Sequence, residues 1–293
     1  MAKEVHKLRL YGPDLYSQPW LLAISSNKDL PFAELTQHYY PISYSYAKGA
    51  CKGTAIPTAE ELLSPQIRER ESADLAALVQ AGETAGRATR ISETNNTGSC
   101  DASGGPATSP VFASALWALD WSLRSAKAGV AGLNFHGYFG RCRPSAYSPI
   151  CAPSYSAEAR GVVIGRPEYY GLLAARQLEG GRFVPVQIEG QSGEGGFTAY
   201  ATKHAGGEVT LVIDNFQATS GLTISLKVPG YAKAVSESLV APSLSSTSGV
   251  SFGHASFDGA RAERPRGTKL SRVSGAFRIG VPAASAVVVM LRG

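Results

Sequence analysis

Two periodicities divide the chain. Up to about residue 180, short apolar runs that read as strands alternate with longer runs whose apolar residues recur every three or four positions, as on one face of a helix. Lys7–Tyr11, Glu34–Tyr40, Thr89–Glu93 and Val130–Phe135 predict strands. Trp20–Ser25 predicts a single helical turn. Ser64 suits a helix cap and Pro65 the first helical position. The helix they open carries Ile67, Leu75, Leu78 and Val79 on its apolar face, and Gly82 is expected to stop it. Pro110 opens the next, with Val111, Leu116, Leu119 and Leu123 at helical spacing and Gly129 at its end. Trp117 and Trp121, four apart, are expected to pack in the core. Pro167–Leu178 is the last helix, closed by Gly180 and Gly181. Strands joined by helices need crossover connections, so this half predicts a parallel sheet.

From Arg182 the period becomes two. Phe183–Ile188, Phe197–Thr202, Glu208–Asn215, Leu222–Val228, Ala234–Leu239 and Ala284–Leu291 alternate apolar and polar residues between Gly-, Pro-, Asp- and Ser-rich turns. That pattern predicts an antiparallel β-sandwich. Its acids Glu189, Asp214 and Asp258 sit beside turn residues and read as solvated. The expected fold class is α/β plus all-β, with residues 1–180 as one unit and 181–293 as the other.

Composition narrows this picture only a little. In 293 residues, 44% are hydrophobic and 17% charged, enough for a packed core. The net charge of +5 comes from scattered Lys and Arg that form no stripe, so a nucleic-acid partner is not expected. No apolar run approaches the roughly 18 residues of a membrane span. The N-terminal MAKEVHKLRLYGPD shows no signal-peptide core. Cys51, Cys100, Cys142 and Cys151 all fall in loop-like segments. An even number of loop cysteines points to disulfides and an oxidising compartment, and three pairings are open. Cys142–Cys151 would staple one loop and Cys51–Cys100 would tie two together; four free thiols are the alternative. There is no C-x-x-C, and His6, His38, His136, His204 and His254 lack ligand spacing. Neither a metal nor another cofactor is expected.

The chemistry concentrates in Arg90–Pro106, RISETNNTGSCDASGGP. A strand delivers one carboxylate, Glu93, into a Thr/Asn/Gly/Ser cluster, and a helix follows. Barrel enzymes present catalytic groups in this way. An ordinary solvated glutamate at a strand end is the plainer alternative.

The run from RISETN through GG-P to FASALWALDWSLRSAKAGVAGLNFHG resembles glycoside hydrolase family 79, which contains microbial β-glucuronidases and heparanase. GPD at Gly12–Asp14, QHYY at Gln37–Tyr40 and YYGLLAARQLEG near the last helix are similar to further family segments. The resemblance covers nearly the whole chain and is most specific over Arg90–Gly137. It implies the C-terminal half, strands five to eight, of a (β/α)8 TIM barrel, followed by an accessory antiparallel β-sandwich. It also implies a retaining mechanism, in which two carboxyls about 5–5.5 Å apart act as nucleophile and acid/base. The motif places Glu93 on the nucleophile. His38 and Tyr40 look like the pair that lines the sugar pocket, where the Tyr40 hydroxyl would donate to Glu93; packing at the rim is the plainer alternative. Gly104 and Gly105 resemble glycines whose backbone N–H groups bind a uronate carboxylate, and Tyr147 looks like a tyrosine that contacts it. The implied partner is a uronic-acid-containing glycoside. Asn95-Asn96-Thr97 matches a glycosylation sequon, but a glycan there would block the site.

The family's acid/base glutamate lies in an Asn-Glu pair upstream of GPD, and this chain begins almost at GPD. Glu34, Glu60, Glu61, Glu69 and Glu71 do not follow an Asn on a strand end. The expectation is a C-terminal portion of a secreted β-glucuronidase-like enzyme, with impaired activity as given. The alternatives are a non-catalytic carbohydrate-binding protein and a related glycosidase of other sugar specificity, such as a glucosidase or arabinosidase. Oligomeric state is not legible.

Overall fold

A computed structural model describes residues 9–15, 18–27, 29, 32–43, 46–47, 50–51, 58–98, 108–137, 140–142, 148–189, 196–259 and 263–293. Strands β1 (Leu10–Leu15), β2 (Phe32–Tyr39), β3 (Ala88–Thr94) and β4 (Leu133–Phe135) form one sheet in chain order. All of its pairings are parallel. This is the sheet that the strand–helix alternation requires, because each crossover returns the chain beside the strand it left.

The helices follow the predicted order. The predicted turn at Trp20 is a complete helix, α1 (Gln18–Ser25). Helix α2 (Pro65–Ala85) starts where the sequence places it, with the Ser64 hydroxyl accepting from the Ile67 N–H at 3.3 Å. Its end differs. Gly82 lies inside the helix, and the chain leaves it at Gly86, which adopts the left-handed φ of 63°. Only a residue without a Cβ takes that conformation cheaply. Gly82 is there because a Cβ would meet the Thr89 side chain at 2.4 Å.

Helix α3 (Ala113–Ala128) is buried almost all round, including Trp117 and Trp121. A helix apolar on every side must be covered on every side. On one flank lies α4 (Pro167–Ala175). Gly171 makes the close approach possible, since a Cβ there would sit 2.0 Å from the Ala115 carbonyl oxygen.

Beyond Gly181 the chain is antiparallel. Strands β5 (Arg182–Val184), β6 (Phe197–Lys203), β7 (Val209–Asn215), β8 (Leu222–Leu226), β9 (Lys233–Val240), β10 (Ser251–Phe252), β11 (Thr268–Leu270), β12 (Arg272–Val273), β13 (Ala276–Val281) and β14 (Ser285–Arg292) divide into two sheets. The larger has the order β5-β6-β7-β14-β9-β10, with β11 also on β9, and the smaller is β8-β13-β12. Leu211, Ile213, Val287, Val289 and Leu291 of the larger sheet share a core with Phe277, Ile279 and Val281 of the smaller. Tyr200, Val212, Leu239 and Val288 belong instead to the core built around α3. The large sheet therefore packs one face on the smaller sheet and the other on the helices.

Polar groups cross that second contact. Asp120 on α3 accepts from Thr198 Oγ1 and Tyr200 Oη, both at 2.8 Å. It also pairs with Arg124, which reaches Glu71 at 3.4 Å. Asp214, expected to be a solvated turn acid, is fully buried in β7 opposite Thr198. Its carboxyl oxygens have no hydrogen-bond partner among the described residues. Burial, reinforced by Asp120, pushes its pKa well above the ordinary range. That shift, opposed by Arg68 and Arg124, favours the protonated, uncharged form of this core residue.

Cys142 and Cys151 are joined, with Cα atoms 4.9 Å apart. The bond ties Cys142 to a two-residue strand, Ile150–Cys151, that pairs with Ile164–Gly165. Closing so short a loop removes about 2–3 kcal/mol of unfolded-state entropy. Cys100, and with it the proposed Cys51–Cys100 pair, lies outside the described residues.

Candidate active site

The site sits at the C-terminal end of the parallel sheet. Register explains how Glu93 comes to face it. In β2 and β3, Leu35 pairs with Thr89 and Gln37 with Ile91, but His38 pairs with Glu93. Ser92 is the extra residue, a bulge that re-aims the side chains beyond it. Without it, Glu93 would share the phase of Ile91, the buried side that packs on the helices. With it, Glu93 shares the phase of His38, Thr36 and Arg90. Thr94 and Tyr39 keep the helix-facing phase. Trp121 donates from Nε1 to Thr94 Oγ1 at 3.2 Å and stacks on Tyr39 with centroids 4.8 Å apart.

Glu93 keeps 36% side-chain exposure and three side chains converge on its Oε1. The Tyr40 hydroxyl, just past β2, donates to it at 2.6 Å. His136, just past β4, brings Nδ1 to 3.5 Å from Oε1 and 2.9 Å from the Tyr40 hydroxyl. His38 brings Nδ1 to 3.8 Å. One phenol and two imidazoles thus surround a single carboxylate oxygen. On the far side of His38, Nε2 lies 3.2 Å from Asp14 Oδ1 at the end of β1. Asp14 also accepts from the Ser92 hydroxyl. That hydrogen bond, with His38 beside it, holds the Asp14 carboxyl below its ordinary value. Each of the four parallel strands thus contributes to one cluster at its C-terminal end.

The polar residues directly after Glu93 are not solvated. Asn95, Asn96 and Thr97 are fully buried. Asn95 Nδ2 donates to the His136 carbonyl at 3.0 Å, and Ser109 Oγ donates to Asn96 Oδ1 at 2.6 Å. Burial of Asn95 rules out use of the sequon in the folded protein. Beneath Asn95, Glu168 from the first turn of α4 brings Oε2 to 3.4 Å from Asn95 Nδ2.

Burial pushes the Glu168 carboxyl up to about 8 from an ordinary 4.5, against the opposing influence of Asn95 and Arg166. The folded protein keeps this proton where the unfolded chain has lost it. Stability therefore falls as pH rises from about 4.5 through about 8. Glu168→Gln, which cannot ionise, is expected to flatten that fall. Urea midpoints at about pH 5 and about pH 8 check it, and an unchanged difference between them would contradict it.

His38, Tyr40 and Glu93 are brought together. Gly104, Gly105 and Tyr147 lie outside the described residues. Sequence reading missed His136, Asp14 and Glu168 as members of the site. The available signal was position: His136 and Asp14 both end parallel strands, and such ends converge on one face. Of the other acids, Glu34 is held by Arg90 Nε at 2.8 Å, and Glu71 is buried against Arg124 and the Trp117 indole. Among the described residues, no group of three His, Cys, Asp or Glu is disposed to hold a metal ion.

By sequence, the chain matches no family model and no curated protein. By structure, it is similar to a 4-O-α-L-rhamnosyl-β-D-glucuronidase from Fusarium oxysporum, at 19% identity and a TM-score of 0.70, over 96% of this chain and 58% of that one. It is also similar to a GH51 arabinofuranosidase from Xanthomonas axonopodis pv. citri, at 16% identity and 0.67, over 98% of this chain and 59% of that one. It is similar again to a GH51 α-L-arabinofuranosidase from Thermotoga petrophila, at 13% identity and 0.66, over 96% and 57%. The chain shares its fold with part of these glycoside hydrolase structures and spans a little under three fifths of their length.

Proposed function

We propose that this chain is the nucleophile-bearing portion of a retaining β-glucuronidase-like glycoside hydrolase related to family 79. In this reading the parallel sheet is strands five to eight of the barrel and the antiparallel part is the accessory sandwich. The observation that carries it is the half-exposed Glu93 held on a bulge at a strand end, with Tyr40 donating to Oε1 at 2.6 Å. The carboxylate oxygen attacks the anomeric carbon and forms a glycosyl ester. The bond to the leaving oxygen breaks, and that oxygen departs with the electron pair. Water then attacks the anomeric carbon and gives its proton to the acid/base group, the Glu93 carboxylate leaves with the electron pair of the ester bond, and the sugar is released with retained configuration. Tyr40 fixes the carboxylate's orientation, and His38, held by Asp14, lines the sugar side.

The reading assigns the leaving-group proton to an acid that the described carboxylates of this chain do not provide. Such protonation typically contributes about 10²–10⁴-fold. The chain is therefore expected to release dinitrophenolate, which needs no proton to leave, from a dinitrophenyl β-glucuronide, while alkyl β-glucuronides stay essentially uncleaved. Efficient turnover of an alkyl glucuronide would contradict this. The structural similarity to arabinofuranosidases favours one further arm. Release from dinitrophenyl α-L-arabinofuranoside in place of the glucuronide would move the specificity away from uronic acids. The uronate preference rests on Gly104, Gly105 and Tyr147 by resemblance alone.

A further inference from the structure

We propose that His136 is a positioning residue for the nucleophile: its neutral ring carries the proton on Nδ1 and donates it to the Tyr40 hydroxyl, committing the phenolic proton to Glu93. The inference rests on Glu93 being the nucleophile and adds a residue to that site. Hydrogen-bond bookkeeping leads to it. A phenol has one proton to give and lone pairs to accept with, and an ionised carboxylate only accepts. At 2.6 Å, Tyr40 therefore donates to Glu93 Oε1. The 2.9 Å contact between the Tyr40 oxygen and His136 Nδ1 has no phenolic proton left to fill it. The proton in that contact comes from Nδ1. The same Nδ1 lies 3.5 Å from Oε1, so the N–H dipole also turns its positive end toward the carboxylate.

The ring has a fixed base. The His136 N–H donates to the Thr94 carbonyl at 2.8 Å, and its own carbonyl accepts from Asn95 Nδ2 at 3.0 Å. Thr94 and Asn95 come directly after Glu93 in the chain, so the imidazole is anchored to the strand that carries the group it serves. Asn95 is in turn buried beside Glu168. A donor to the Tyr40 oxygen polarises the phenol and strengthens its hydrogen bond to Glu93. His136 makes and breaks no bond itself and acts through Tyr40.

Long-range proton–nitrogen NMR correlations of the folded chain test this without any turnover. The His136 signal is assigned by its loss in His136→Asn. The neutral ring is expected to show a protonated Nδ1 and a bare Nε2, and Tyr40→Phe is expected to shift that pattern. A bare Nδ1 in the neutral ring, or a signal indifferent to Tyr40→Phe, would overturn the proposal. A second arm tracks the rate at which Glu93 is labelled by an activated 2-deoxy-2-fluoro glycosyl probe. His136→Asn places an amide N–H near the Nδ1 position, and His136→Leu removes the donor. The Leu variant is expected to label about tenfold more slowly or worse, corresponding to about 1.4 kcal/mol, and the Asn variant within about threefold of the parent. Equal rates in all three would overturn the proposal. If Glu93 does not label at all, the nucleophile reading fails, while the tautomer result still stands by itself.

Discussion

Asp120→Ala is expected to destabilise the folded chain by about 3–5 kcal/mol, the range for removing one partner from a buried ion pair. Its carboxylate serves three groups at once. Thr198 and Tyr200 of β6 donate to Oδ1, and Arg124 of α3 pairs with Oδ2. Asp120 is 3% exposed at the side chain and Arg124 is 12% exposed, so water cannot replace what is lost. Removing the carboxylate leaves a cation and two hydroxyls desolvated between the helices and the large antiparallel sheet. Arg124 retains Glu71 at 3.4 Å, which limits the loss but does not cancel it. Asp120→Asn keeps an acceptor for the two hydroxyls and loses the charge, so it should fall between the parent and the Ala variant. Denaturant midpoints with unchanged slope would measure this. A loss below about 1 kcal/mol for Asp120→Ala would mean that the contact between helices and sheet does not depend on this cluster.

Much of the fold was legible because periodicity survives in single sequences. The four parallel strands, the start of α2 at Ser64–Pro65 and the end of α3 at Gly129 arise from local chemistry. The features that escaped depend on partners distant in sequence. Gly82 looked like a helix stop, but its lack of a side chain serves packing against Thr89, and Gly86 four residues later ends the helix. Asp214 looked like a turn acid, because nothing local says that α2, α3 and β6 bury it with Asp120 and the arginines. Strand β13 carries a clear alternation, with Phe277, Ile279 and Val281 buried and Arg278 and Gly280 exposed. Gly275 just before it and Gly280 inside it hid it.

The candidate site shows the same division. Glu93, His38 and Tyr40 stood out through motif resemblance, and their distances are those of a single cluster. The bulge at Ser92 that turns Glu93 toward His38 has no sequence signature. His136 lies 96 residues from Tyr40, so their contact is a product of the sheet order alone. Glu168 looked like an ordinary acid in the first turn of a helix. Its burial beneath Asn95 could only come from packing α4 against the end of β3.

Glu93→Gln carries the largest expected effect on chemistry: complete loss of covalent glycosylation. The amide keeps the shape and accepts from Tyr40, but it does not form a stable ester at the anomeric carbon. A 2-deoxy-2-fluoro-β-glucuronosyl probe with a dinitrophenolate leaving group isolates this step. The fluorine slows hydrolysis of the ester, and the leaving group departs without a proton, so the acid/base carboxyl is not needed. The direct measurement is intact-mass and peptide-level mass spectrometry of the chain after incubation with that probe. One sugar adduct on the peptide containing Glu93, absent from Glu93→Gln, is the predicted result. No adduct, or an adduct that persists in Glu93→Gln, would contradict the assignment of Glu93 as nucleophile.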